Sequence, residues 1–244
     1  MKPSTLLYLL VSILAASCTK SIADLNNNPK AALTVPSSSL FLNGEKNLSD
    51  ALAGTNVASS PFRVLAQSWT ENTYVSEAQY KLTVDNCPQG WWNELYASGT
   101  SSVLNSLAAA KTTIPTDITD AATQKNALLI TDILEVYAYS LLVNTYGNVP
   151  YSQALNRDIP FPKYDDAKTV YYDLLARLDT AISGLNTGAG SFGGADNIYK
   201  GDVTRWKKFA ATLSQAGHGD RRFRSCHRRQ RGAGSRQCWH LYLQ

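Results

Sequence analysis

The chain has 244 residues, 44% of them apolar, and a formal net charge of +4. That is length enough for one large domain or two small ones with a real core. The charge is uneven. Residues 214–244 carry seven arginines against one acid, Asp220, whereas residues 1–213 hold 16 basic and 18 acidic residues. The main body is therefore mildly acidic and does not have the basic surface that nucleic acid requires.

Taken in chain order, the first element is a secretory signal. Met1-Lys2 gives a positive start, Leu6 to Ala16 is an almost unbroken apolar run, and Ala15-Ala16-Ser17 leads into Cys18. The run is too short to span a bilayer stably. A cysteine directly after small residues marks lipobox processing: residues 1–17 are removed and Cys18 becomes an acylated first residue. Acyl chains hold such a protein at a membrane by burying methylenes. Ala15 stands where lipoboxes usually have a large aliphatic residue. Beyond Cys18, only Cys87, Cys226 and Cys238 remain, an odd and sparse set that gives no disulfide framework. No second apolar run reads as a membrane span.

Residues 18–36 are largely polar, with Asn26-Asn27-Asn28-Pro29, and read as a tether. Helical patterns follow. Trp92, Leu95, Tyr96, Gly99, Val103 and Leu107 recur at three- and four-residue spacing, the mark of one buried face. Lys111 to Asp120 is a polar stretch. The clearest helix covers about 122–146, with Ala127, Ile130, Leu134, Tyr137, Ala138, Leu141 and Leu142 as its apolar stripe. Gly147 ends it, and Asn148-Val149-Pro150 turns the chain. Asp165-Asp166 suits the start of another helix, carrying Val170, Tyr171, Leu174, Leu178, Ile182 and Leu185. A glycine-rich loop over 186–197 leads to a last helix from Asp202, with Trp206, Phe209, Ala210 and Leu213 inward. Hardly any segment alternates with period two. The fold class read here is all-α, built of helix pairs.

The chemistry-bearing motifs are few. Gly188-Ala189-Gly190-Ser191-Phe192-Gly193 matches G-x-G-x-x-G as text, but a helix precedes it where a dinucleotide site needs a strand, so it reads as a flexible loop. Cys226, His227, Cys238 and His240 match no paired zinc spacing, and no metal or cofactor is expected. Asp132, Glu135 and Asp173 read as acids on solvated helix faces rather than as a glycosidase pair. All three histidines lie beyond residue 213, which leaves the body without the commonest general base. The aromatics carry more. Trp69, Tyr74, Tyr80, Trp91, Trp92 and Tyr96 crowd together with Asn72 and Gln89 among them. Aromatic faces beside amides suit carbohydrate. Trp92 and Tyr96, on the stripe, read as core; Trp69, Asn72 and Tyr74, in a segment without periodicity, are the ligand-binding candidates.

The run from Ala127 to Leu155, ending Tyr146-Gly147-Asn148-Val149-Pro150-Tyr151, closely resembles the SusD/RagB family of outer-membrane nutrient-binding lipoproteins. Three more blocks fit in order: Trp69 to Tyr74, Pro162 to Asp166, and Asp196 to Ala210. The resemblance covers the lipobox to Leu213. It implies tetratricopeptide-like antiparallel helix pairs with irregular loops over residues 37–213. It also implies an oligosaccharide- or nutrient-binding, non-catalytic protein lipid-anchored on the surface of the outer membrane. Such a protein passes its ligand to a TonB-dependent, SusC-like transporter. The competing readings are a helical scaffold that binds only protein and a surface glycosidase.

After Leu213 the resemblance stops. Codons for Gln215 to Arg222 read one nucleotide later permit a family-like helix, so residues 214–244 are expected to be an out-of-frame, disordered basic tail on a truncated domain. Helix pairs missing their neighbours leave apolar faces open, and such a chain is expected to be prone to aggregation.

Overall fold

The computed structural model describes residues 35–219, apart from positions 58, 85, 98–101 and 157. The signal peptide, Cys18, nearly all of the tether, and the tail beyond Gly219 lie outside the described residues.

The organising element is a long central helix. Seven α-helices are described: α1 (Ser37–Ala53), α2 (Phe62–Leu65), α3 (Cys87–Trp92), α4 (Val103–Asp117), α5 (Ala121–Tyr146), α6 (Ala167–Gly184) and α7 (Val203–Gly219). Asp120 starts α5 by accepting the Thr123 N–H at 2.8 Å, which satisfies one of the free donors of the first turn. Gly147 stops it at φ +78°, a left-handed conformation that a side chain would strain. Burial along α5 extends well beyond one stripe, from Asn126 to Val143, because α4, α6 and α7 all pack on it. By length and composition α5 is long and apolar enough to cross a membrane. That departs from the sequence reading, but the helix is mostly buried against its protein neighbours and serves as a core element.

The long helices pack in chain order as pairs: α1 on α4, α4 on α5, α5 on α6 and α6 on α7. Asp166 caps α6 through the Thr169 N–H at 3.0 Å, and Asp202 plays the same part for Arg205 at the start of α7. Trp206 and Ala210 on α7 are fully buried, with Phe209 and Leu213 packed beside them. α7 continues past Leu213 to Gly219. Among the described residues the only strand pairing is an antiparallel two-residue ladder, β1 (Val149–Pro150) with β2 (Tyr164–Asp165).

Two expectations are corrected here. The polar stretch after Lys111 is helix as far as Asp117, with Pro115 inside it. Ala110 and Ile114 keep the apolar stripe going, while Thr112, Thr113 and Thr116 return their hydroxyls to helix carbonyls. The glycine-rich loop is also firmly held. Asn126 on α5 donates to the Asn186 and Gly190 carbonyls and accepts the Asn186 N–H, each at 2.9 Å. Phe192 of that loop stacks on Phe41 of α1 with ring centroids 3.9 Å apart.

Candidate functional site

Residues 61–84 fold around the short helix α2 without regular periodicity. Arg63 fixes this segment to the end of α1, donating to the Gly54 carbonyl at 2.6 Å and the Leu52 carbonyl at 2.9 Å. Its guanidinium also lies 4.7 Å from the centre of the Trp69 ring, a cation–π contact that holds the indole in place. Glu71 closes the following turn by accepting the Ala78 N–H at 2.9 Å. Three non-glycine residues here, Gln67, Tyr74 and Tyr80, take left-handed backbone angles near +60°. Such conformations are costly and persist where the surroundings impose them.

The result is a segment that displays three aromatic rings to solvent. Trp69 is 41% exposed, Tyr80 58% and Tyr74 85%. Asn72 is exposed beside them, accepting from Thr73 Oγ1 at 3.4 Å. Gln67 donates to the Tyr80 hydroxyl at 3.2 Å. Trp69, Asn72 and Tyr74, selected from the sequence, therefore share one irregular, solvent-facing segment. Trp91 and Tyr96 are core, and the Tyr96 hydroxyl, pushed up by burial, donates to the Pro150 carbonyl at 3.0 Å.

A second concave region escaped the sequence reading. A cleft of about 410 Å³ lies between α4, α5, α6 and the turn after β1, walled by Lys111, Asp132, Glu135, Tyr139, Tyr151 and Arg177. Lys111 binds both Asp132 and Glu135 at 2.8 Å, and Arg177 binds them at 2.5 and 2.7 Å. The Tyr151 hydroxyl bridges Arg177 and Asp173. Burial opposes the charge on Asp132, but Arg177 and Lys111 hold its carboxyl below the usual range. The expectation of solvated acids is thus overturned at Asp132 and Glu135, whereas Asp173 lies on an exposed helix face as read. The i, i+3 spacing puts Asp132 and Glu135 on one face, which the sequence could show; their cations come from other helices, which it could not.

The third region is a cleft of about 470 Å³ framed by α3, the end of α5 and β2. Trp92 on α3 packs at 4.8 Å against Tyr96 and at 5.1 Å, edge-on, against Tyr146. Among the described residues no group of three or more His, Cys, Asp or Glu side chains is placed to hold a metal ion.

The family model for SusD-like proteins, described as starch-binding and associating with the outer membrane, matches residues 27–215. The chain belongs to the SusD-like family. Its helical fold is shared with a SusD-like protein from Bacteroides thetaiotaomicron at 18% identity and a TM-score of 0.54, over 75% of this chain and 37% of that one. A SusD homolog from Parabacteroides distasonis gives 23% identity and a TM-score of 0.51, over 72% of this chain and 33% of the other. This SusD-like chain thus spans about a third of the length of those two structures. A search of curated proteins finds no match. The SusD-like match takes in the displayed aromatic segment, both clefts and most of α7.

Proposed function

We propose that this SusD-like chain binds a glycan at the outer membrane, held there by a lipid on Cys18, and delivers it to a TonB-dependent, SusC-like transporter without cleaving it. The observation that carries the reading is the family match over residues 27–215, whose description names both starch binding and the outer membrane. Trp69, Asn72 and Tyr74 are the first ligand contacts in this proposal. Their exposure supports it, because a ring that packs no core is available to lie on a sugar face.

Two features favour binding over hydrolysis. A glycosidase needs one carboxylic acid that keeps its proton and a second carboxylate across the bond. Asp132 and Glu135 are each engaged by Lys111 and Arg177, and Asp132 is held ionised. Glu45 and Asp196, the other close pair, are buried out of a ligand's reach.

The test is calorimetric titration of the full chain with maltohexaose, together with a reducing-end assay. Binding without release of new reducing ends is expected, with weaker binding in Trp69→Ala and Tyr74→Ala. New reducing ends would overturn the non-catalytic reading. Absence of glycan binding, with the transporter still captured in a pull-down, would favour the protein-only scaffold. Replacing Cys18 with Ser should release the protein from the membrane fraction.

A further inference from the structure

We propose that the cleft between α3, the end of α5 and β2 is a second sugar subsite, taking a neutral pyranose unit of the glycan. This rests on the glycan-binding reading above but concerns a different set of residues. The cleft, at about 470 Å³, is of the size that small-ligand sites have. Its wall combines three aromatic rings, Trp92, Tyr146 and Tyr164, with three amides, Asn86, Gln89 and Asn148. Among the described residues no charged side chain lines it.

Each part has a physical role. Trp92 is half-buried and wedged between Tyr96 and Tyr146, so its indole is held rigidly and presents an apolar wall. The Tyr146 hydroxyl donates to the Pro88 carbonyl at 2.5 Å, which ties the end of α5 to α3 and fixes that side of the cleft. Tyr164, also in the wall, is 66% exposed on β2 and loses no core packing if it turns its face to a ligand. C–H faces of a pyranose suit such rings.

The amides supply the polar complement. Asn148 uses its carbonyl oxygen to accept the Ala167 N–H at 3.0 Å at the start of α6. Its amide N–H groups are donors without another bond among the described residues. Gln89 donates to the Asn93 side chain at 2.7 Å, leaving its carbonyl oxygen as an acceptor. A sugar hydroxyl both donates and accepts, so a fixed donor and a fixed acceptor beside an aromatic face match it. A carboxylated sugar would find no cation among the described lining residues. The charged neighbours of Tyr164 in the chain, Lys163 and Asp165, are engaged with each other at 3.3 Å.

The experiment titrates the full chain with maltohexaose, comparing wild type with Tyr164→Ala and Gln89→Ala. Both residues are exposed, and thermal melting checks that the fold is kept. Each variant should bind roughly tenfold more weakly at an unchanged melting temperature, and a galacturonate hexamer should compete poorly. Wild-type affinity in both variants would overturn the cleft assignment and leave the glycan-binding reading standing. Equal competition by the galacturonate hexamer would overturn the neutral selectivity. Failure of the wild-type chain to bind any neutral oligosaccharide would overturn the functional reading, and the subsite with it.

Discussion

Glu45 on α1 meets Asp196 of the loop before α7 carboxyl to carboxyl, with 1% of Glu45 and none of Asp196 exposed. Asp196 accepts the N–H groups of Ile198, Tyr199 and Gly201 and the Trp206 indole N–H at 2.6 Å. Glu45 accepts the Asn197 and Ile198 N–H groups. Two charges cannot share this site without a cation, so one proton stays. Burial pushes Glu45 up from 4.5 to about 7, while burial on Asp196 is outweighed by its N–H donors, which hold it below its usual value.

A pH dependence of stability follows from this pair. Between about pH 4.5 and 7 the unfolded chain releases the Glu45 proton and the folded chain keeps it. Folding therefore takes up a proton, and stability falls as pH rises through that window, then levels off. Asp196 acts in the opposite sense, its contribution being lost as pH falls below its unfolded value of 3.8. Urea denaturation from pH 4 to pH 8 should show a fall of about 1–3 kcal/mol above pH 5. Glu45→Gln keeps the donor and the acceptor without the titration, and should flatten that fall.

Gly44 gives a second prediction, with a sign opposite to the usual one. Glycine inside a helix normally costs about 1 kcal/mol relative to alanine. Here a Cβ would lie 2.7 Å from the Leu107 side chain on α4, which is fully buried. Gly44→Ala should therefore destabilise by about 1–2 kcal/mol, as measured by chemical denaturation. Adding Leu107→Ala should cost less than the two single changes summed.

Which features were legible follows from what fixes them. α5 was readable nearly to the residue because Gly147 and a 3.6-residue apolar period are local signals, whereas its cap at Asp120 was read only as the end of a polar stretch. α6 and α7 were readable for the same reason, through Asp166 and Asp202. Residues 62–84 were placed only by exclusion, since their backbone depends on Arg63 reaching the carbonyls of Leu52 and Gly54. The exposure of Trp69 and Tyr74 could be guessed from the lack of periodicity there. The burial of Glu45 could not, because its partner Asp196 lies more than a hundred residues away and only the packing of α1 beside the loop joins them. Asp132 and Glu135 looked solvated for the same reason: Arg177 is far off in sequence.

That ionic cluster yields a third prediction. Arg177 is 21% exposed and contacts Asp132, Glu135 and Tyr151, so removing it leaves two largely buried carboxylates sharing Lys111 as their one cation among the described residues of this cluster. Arg177→Met should cost about 2–4 kcal/mol near neutral pH, and the loss should shrink in acid as the carboxylates protonate. Lys111, at 33% exposed, is better solvated, and Lys111→Met should cost visibly less. Equal losses from the two variants in denaturation curves would refute this ranking.

Arg63 and Trp69 separate positioning from contact. Trp69 is 41% exposed and lies outside the core cluster, so Trp69→Ala should cost about 1 kcal/mol, including the cation–π contact, while weakening glycan binding. Arg63 carries two hydrogen bonds to the end of α1 as well as the cation–π contact. Arg63→Ala should cost about 1–3 kcal/mol by leaving those carbonyls without partners, and should also free the indole to move. Arg63→Lys restores the charge over the ring but not the forked donor, so it should recover part of the binding and little of the stability. Thermal melts and glycan titrations on the three variants distinguish the roles. If Arg63→Lys recovers stability but no binding, the cation–π contact is not what positions Trp69.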